Sequence, residues 1–381
     1  VKARLVSDVP LGAFLSGGID SSAVVALMAV AGGDAVKTFS IGIEDVNRNE
    51  LPFARLIAER YGTDHHELMV TPDVKDLLPK LVWHYNEPFA DSSAIPSYYI
   101  AQMTRRHVTV ALSGDGGDEV FGGYESYGNI LSWGSLDVVP RWLRRPLGFG
   151  FCRAINRLPY SNTRSRVSRG IYMFAADANE RFVLSTQIFK PSERRALYTA
   201  LFNARLAEPA GTPTMFPLPF RSTDDPLHWM MQHDQRYYLP DCVMTKVDIA
   251  SMANSLEVRC PFLDRDLVEF AARIPPELRR NDLGGKSILK RALASLLPPE
   301  TLARKKTGFG IPLAAWLRGP LMPLVQETLL GERCLRRGLF DRRFLAKMVA
   351  EHATGVRDWS ARLWALVFLE LWFEMWIDRR T

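Results

Sequence analysis

The sequence predicts an α/β protein: a doubly wound parallel sheet with an extensive helical C-terminal lobe. Three observations carry this. Over residues 9–118, short apolar runs alternate with helix-period segments of roughly ten residues, as when helices cross over between parallel strands. The first and last of those runs, "GAFLS" (12–16) and "VTVALSG" (108–114), both lead into glycine-rich loops. Beyond residue 124 the alternation stops, and helical periodicity rich in Trp, Arg, Leu and Pro continues to Trp376.

Taken in order, "GAFLS" reads as a buried strand and "SAVVALMAVAG" (22–32) as a helix stopped at Gly32-Gly33. "VKTFSIGI" (36–43) is the second strand. "PFARLIAERYG" (52–62) is a helix with apolar residues at helical spacing and a glycine stop. "HHELMV" (65–70) is the third strand, "VKDLLPKLVWHY" (74–85) and "AIPSYYIAQMTRRH" (94–107) are helical, and β-branched "VTVALSG" is the fourth strand. "AEPAGTPTMFPLPF" (207–220) reads as a loop between helices. The expected division is a nucleotide-binding core over 1–123 and a helical lobe over 124–381, without internal repeats.

Composition bounds the function. At 381 residues, 47% apolar and 24% charged, the chain is an ordinary globular protein rather than a disordered or fibrous one. Its 48 basic and 42 acidic residues give a net charge of +6, scattered in short clusters such as "ARKK" (303–306). No basic stripe interleaved with aromatics argues for nucleic acid. Most of these charges read as solvated surface. The most apolar segment, "LWALVFLELWFEMW" (363–376), is broken by Glu370 and Glu374 and reads as an amphipathic helix on a protein core, so no membrane partner is expected. Four scattered cysteines outside any C-x-x-C pair read as free thiols of a reducing, cytoplasmic compartment. His65-His66 fits no metal pattern and reads as a surface or core pair.

Two loops carry chemistry. "SGGIDSS" (16–22) lies between a strand and a helix, where backbone N–H groups and the helix dipole suit an anion. It lacks the G-K-[ST] ending of a P-loop, and it contains an acid, Asp20. A glycine turn with a Ser/Asp helix cap is one reading. A phosphate cradle in which Asp20 holds magnesium is the other. "SGDGGDEVFGGY" (113–124) again follows a strand and again mixes glycine with acids. Asp20 and Asp118 then become two carboxylates at neighbouring strand ends, suited to a magnesium ion on a nucleotide.

"SGGIDSS" resembles the pyrophosphate loop of the N-type ATP pyrophosphatases. "ALSGDGGDEVFGGY" (111–124), "MTKVDIASMANSLEVRCPFLD" (244–264) and "KKTGFGIPLAAWL" (305–317) resemble the synthetase domain of glutamine-hydrolysing asparagine synthetases. Four segments in the right order cover essentially the whole chain. The resemblance implies a Rossmann-like nucleotide fold, ATP and Mg2+, adenylation of the β-carboxylate of aspartate, and attack of ammonia on the acyl adenylate. It implies that Ser16, Gly17, Gly18, Asp20, Ser21 and Ser22 cradle pyrophosphate, and that Asp20 and Asp118 hold the metal. Leu15 and Ile41 would line the adenine pocket through backbone contacts, with Ser113 and Gly114 also on the nucleotide.

Asp115 matches an acidic position that is Glu in many asparagine synthetases, where it helps form the intermediate and accept the ammonia proton; capping of the following turn is its plainer reading. Lys306 matches the lysine that stabilises charge during adenylation, with Lys305 one residue away. Asp248 and Arg259 are expected either to bind the amino-acid substrate or to form a structural ion pair. Asn86 stands where Asp is common in a family segment beside the active site, and Ile249, where Arg is frequent, together with Asp115 keeps open another carboxylate acceptor, as in polysaccharide or secondary-metabolite amidotransferases. A silent scaffold is the third alternative. The family's N-terminal glutaminase domain, with its terminal cysteine nucleophile, has no counterpart here. We therefore expect either a fragment or an ammonia-using form, and the start at Val1, just before the "SGGIDSS" loop, favours the fragment. A homodimer is left open.

Overall fold

The computed structural model describes all residues except 33–34, 44–48, 71–73, 156–161, 207–224, 282–283, 305–307, 309 and 379–381. Strand β1 (Leu11–Phe14) lies at the centre of a five-stranded sheet. Gly12 is required there: a Cβ would sit 2.7 Å from the Phe39 ring and 2.8 Å from the Lys37 carbonyl. Helix α1 (Ile19–Ala31) follows, then β2 (Lys37–Ile43), α2 (Leu51–Tyr61), β3 (Asp64–Val70), α3 (Val74–Tyr85), α4 (Ala94–Arg105), β4 (Val110–Leu112) and the short α5 (Gly117–Phe121). All four expected strands form.

The strand order is β3-β2-β1-β4-β5, and every pairing is parallel. The chain runs outward from β1 through β2 to β3, then crosses back to place β4 on the other flank of β1. In register, Ala13 faces Thr38 on one side and Leu112 on the other. Strands buried on both faces carry near-continuous apolar runs, as Phe39 and Ile41 in β2 and Val110, Ala111 and Leu112 in β4 do. One face packs Ala13, Leu15, Val24, Val25, Ile57 and Leu112 together. The other packs Phe39, Ile41, Val70, Ile100, Met103 and Leu256.

The fifth strand, β5 (Glu257–Arg259), comes from far along the chain. It joins β4 through the pairs Val110↔Glu257 and Leu112↔Arg259. The structure therefore differs from a division at 123/124. The sheet-bearing unit comprises Val1–Tyr124, Asp234–Trp316 and Leu371–Thr381, and the second unit comprises Glu125–His233 and Leu317–Glu370. The first junction falls where the sequence changes character. The later return reflects backbone pairing by three residues with little apolar pattern of their own. After Met244, the sheet-bearing unit contains α6 (Thr245–Met252), β5, α7 (Arg265–Ala272), a two-residue hairpin of β6 (Arg280–Asn281) with β7 (Gly284–Gly285), and α8 (Ser287–Ala292).

Within the second unit, the helices Arg141–Ile155 and Asn162–Ala175 pack closely where Gly148 meets Ala175. The "LWALVFLELWFEMW" segment forms the helix Ser360–Trp372 and a π-helical turn Phe373–Ile377. Glu370 is buried and accepts a 2.9 Å bond from Arg337 Nε. No helix among the described residues is long and apolar enough to cross a membrane. The expected loop 207–220 lies within the segment outside the described residues.

Candidate active site

The site is built where β1 and β4 end side by side, at the point where the order of strands reverses. In open parallel sheets that crevice is where ligands bind. The β1 loop turns at Gly17, whose φ of +68° lies in the left-handed region. A Cβ there would collide with the backbone of Phe53 at the start of α2. Ser16 N–H donates to Ser21 Oγ at 3.1 Å, and Gly18 N–H to Ser16 Oγ at 3.3 Å. Gly18 caps α1 without a side-chain bond, so Ser/Asp capping does not satisfy the helix start. The first-turn N–H groups of a thirteen-residue helix remain directed at the loop, with the positive end of its dipole behind them. Ser22 is fully buried, and its hydroxyl has no partner among the described residues.

The β4 loop closes on this one. Gly116 has a φ of +91°, and a Cβ on Gly117 would stand 2.5 Å from Asp20 Oδ1. A Cβ on Gly114 would stand 2.6 Å from Ser21 N. Asp20 and Asp118 thus reach one place from adjacent strand ends, with side chains only 13% and 10% exposed. Between them lies a group the sequence reading missed. Lys286 Nζ donates to Asp20 Oδ2 and stands 2.7 Å from Asp118 Oδ1. No group of three or more His, Cys, Asp or Glu side chains converges on a cation position among the described residues.

The other expected residues separate into two sets. Ser113 and Gly114 line the β4 loop; Ser113 N–H is committed to the Arg259 carbonyl at 2.8 Å. Ser113 Oγ donates to Asp115 Oδ2 at 2.5 Å. Asp115 does not cap α5, whose cap residue is Gly116 with no side-chain bond. Leu15 donates its N–H to the Phe39 carbonyl at 2.8 Å, and its carbonyl accepts from Ser40 Oγ. Ile41 is buried in the opposite face of the sheet.

The structure does not pair Asp248 with Arg259. Arg259 Nη1 donates to the carbonyls of Arg4 and Val6 at 2.9 and 2.8 Å, and Nε donates to Glu257 at 2.7 Å. These bonds tie the N-terminal segment to β5, and no ion pair of Asp248 occurs among the described residues. Lys305 and Lys306 lie outside the described residues.

Arg304, which nothing in the "ARKK" cluster singles out, is a second missed residue. Nη1 donates to the Ser16 carbonyl at 3.1 Å and Nη2 to Glu50 at 2.8 Å, while the guanidinium stacks 4.2 Å above the Phe53 ring. It ties the β1 loop to the start of α2. Glu119, next to Asp118, is buried, and burial above all pushes its carboxyl up to about 7. Tyr124 OH, 2.5 Å from Glu119 Oε1, works against that shift. The fragment "GGKSILKRA" (284–292), with two glycines before a lysine at a helix start, was the available signal for Lys286.

The sequence model of the asparagine synthase family matches residues 1–378. The chain belongs to the asparagine synthase family. It is 31% identical over its full length to asparagine synthetase [glutamine-hydrolyzing] 1 of Bacillus subtilis, of which it covers 58%. It is 33% identical over 99% of its length to a putative asparagine synthetase [glutamine-hydrolyzing] of Mycobacterium tuberculosis, of which it covers 56%. Amidase chyE of Penicillium rubens is 26% identical over 90% of the chain. The chain therefore spans little more than half the length of these synthetases. Four strands, both loops and the parallel order agree with the Rossmann-like core that the resemblance implies.

Proposed function

We propose that this asparagine synthase chain is an ATP-dependent amide-forming ligase. It would adenylate the β-carboxylate of aspartate, releasing pyrophosphate, and then join ammonia to the acyl group, releasing AMP. The observation that carries this reading is the meeting of Asp20 and Asp118 at an uncapped helix start on the switch point of the sheet. A carboxylate beside a phosphate site is repulsive unless a cation intervenes, and here two carboxylates share one focus.

The residues fit Mg2+ on a nucleotide. Both donors are carboxylate oxygens, few in number, as suits an ion that takes its remaining ligands from phosphates and water. The glycines at 114, 117 and 123 keep open the space around them, where a Cβ would collide with Asp20 or Asp118. When bound, Mg2+ neutralises charge building on the leaving pyrophosphate. The α1 N-terminus and the Ser16, Ser21 and Ser22 hydroxyls donate toward phosphate oxygens, where such groups act most strongly in a water-poor site. Arg304 holds the Ser16 carbonyl and so fixes the loop that presents them.

In the first step a carboxylate oxygen attacks the α-phosphorus and the bond to the β-phosphate bridge breaks. In the second, ammonia nitrogen attacks the acyl carbon, the bond to AMP breaks, and ammonia loses a proton. Asp115, fixed by Ser113 in the β4 loop, is the proposed acceptor of that proton. In a longer protein, a glutaminase portion would supply the ammonia.

Amidation of another carboxylate is the second reading. Ile249, Asp115 and the similarity to an amidase favour it. Pyrophosphate release from ATP, Mg2+ and a panel of carboxylic acids, with and without ammonium, tests both. Aspartate-dependent release with asparagine formed supports the first; release with a different acid selects the second. Absence of turnover with every acid would leave a nucleotide-binding scaffold.

A further inference from the structure

We infer that Lys286 is an internal counter-ion that holds the two metal carboxylates together and must leave at least one of them when the metal–nucleotide complex binds. The inference rests on the reading of Asp20 and Asp118 as the metal pair. Two carboxylates converging in a site this dry repel each other and are poorly solvated, so the empty pair needs a cation. Lys286 supplies it. Its side chain is only 6% exposed, and its ammonium engages both acids at once.

The position is built rather than incidental. Lys286 itself has a φ of +60°, left-handed backbone that non-glycine residues rarely adopt. It sits directly after the β6–β7 hairpin and heads α8. The hairpin lies tight against the end of α5: a Cβ on Gly285 would stand 2.6 Å from the Gly122 carbonyl. Gly123 then leaves the channel through which the lysine stem passes, since a Cβ there would overlap Lys286 Cε and Asp118 Oδ1.

An ammonium and a divalent ion need the same oxygens. Ligand bonds near 2.1 Å draw carboxylates closer to Mg2+ than a lysine nitrogen at hydrogen-bond distance allows, so the two occupancies compete. With Lys286 in place the trio carries one net negative charge, which disfavours a bare divalent ion relative to two free carboxylates. A metal arriving on ATP brings phosphate oxygens that accept the displaced ammonium, and lysine's flexible stem permits that transfer. Lys286 thereby favours entry of the metal as a nucleotide complex over the bare ion, and afterwards acts as a phosphate-positioning residue.

Binding of bare Mn2+ without nucleotide, followed by electron paramagnetic resonance, tests this. The wild-type chain should bind it weakly. Lys286→Met should bind at least about tenfold more tightly, a step worth 1.4 kcal/mol. The gain should vanish in the Lys286→Met/Asp118→Asn double variant, and Mn2+ alone should raise the melting temperature of Lys286→Met but not of wild type. Equal Mn2+ affinity in wild type and Lys286→Met, or a gain that survives Asp118→Asn, overturns the inference. Lys286→Gln serves if the Met variant does not fold. If neither folds, the wild type decides: weak Mn2+ binding that ATP strengthens supports the inference, and tight nucleotide-free binding overturns it. Mn2+ gain in a chain that turns over no carboxylic acid would sink the ligase reading alone. Turnover without that gain would sink only the counter-ion.

Discussion

An acid inside the glycine-rich β1 loop makes sense once its neighbours are located. Asp20 lies 98 residues from Asp118 and 266 from Lys286, yet all three side chains meet. The two acids were legible because each stands in a glycine-rich loop after a strand. Lys286 was harder to read: "GGKS" places it after two glycines at a helix start, but a single lysine there reads equally as solvated charge. Asp20→Asn and Asp118→Asn should each lower the rate of pyrophosphate formation on the order of 10²-fold, about 3 kcal/mol, as for loss of a strong electrostatic stabiliser. Near-normal turnover in both, measured at saturating ATP and Mg2+, would contradict the carboxylate pair. Cys242 offers a pH-based test of local burial. Burial first, and the Asp91 carboxylate next, push its thiol up to about 12. A raised pKa means less thiolate below it, so at pH 8 the folded chain should alkylate at Cys242 roughly a thousandfold more slowly than after denaturation. Iodoacetamide labelling read by mass spectrometry checks this.

At the scale of elements, β1, β2, β3 and β4 and the helices between them follow from hydrophobic period and glycine stops. β5 was hidden for a physical reason. "EVR" is three residues long with charge at both ends, and only pairing with β4 makes it a strand. Its Arg259 also shows why a charge in an apolar frame points two ways: the same feature fits a substrate contact and a structural tie. Because Arg259 donates to the Arg4 and Val6 carbonyls, Arg259→Met should lower stability by about 1–3 kcal/mol. It should leave the KM for the acceptor within a few-fold; denaturant melts beside steady-state kinetics separate the two roles. Arg304 joins the start of α2 to the β1 loop through Glu50, Phe53 and Ser16. Arg304→Met should therefore raise the KM for ATP about tenfold or more, because an unanchored loop must be ordered by the ligand. An unchanged KM would show that the loop holds its shape without this tie.

Over the whole chain, two units emerge where the sequence gives one change of character, near residue 124. The sequence marks where the chain leaves the sheet, because alternation ceases there. It does not mark the return at Asp234, since the helix continues through that point without a break, from the α-helix Pro226–His233 into the π-helical stretch Asp234–Met244. The second unit has its own charged centre. Arg181 is fully buried and bonds Asp137 through both Nη1 and Nη2, at 2.9 and 2.7 Å, and donates Nε to the Met173 carbonyl at 2.7 Å. Asp137→Ala leaves that guanidinium without its acid and should destabilise the chain by roughly 3 kcal/mol, visible as a lower melting temperature. The chemistry proposed for the sheet-bearing unit is activation of a carboxylate on the α-phosphate of ATP. Aspartate labelled with 18O in its β-carboxylate, incubated with the chain, ATP, Mg2+ and ammonium, tests it most directly. Adenylation of the β-carboxylate should leave one 18O atom in each AMP formed, in step with pyrophosphate and asparagine. Label in inorganic phosphate with ADP as the nucleotide product would contradict it.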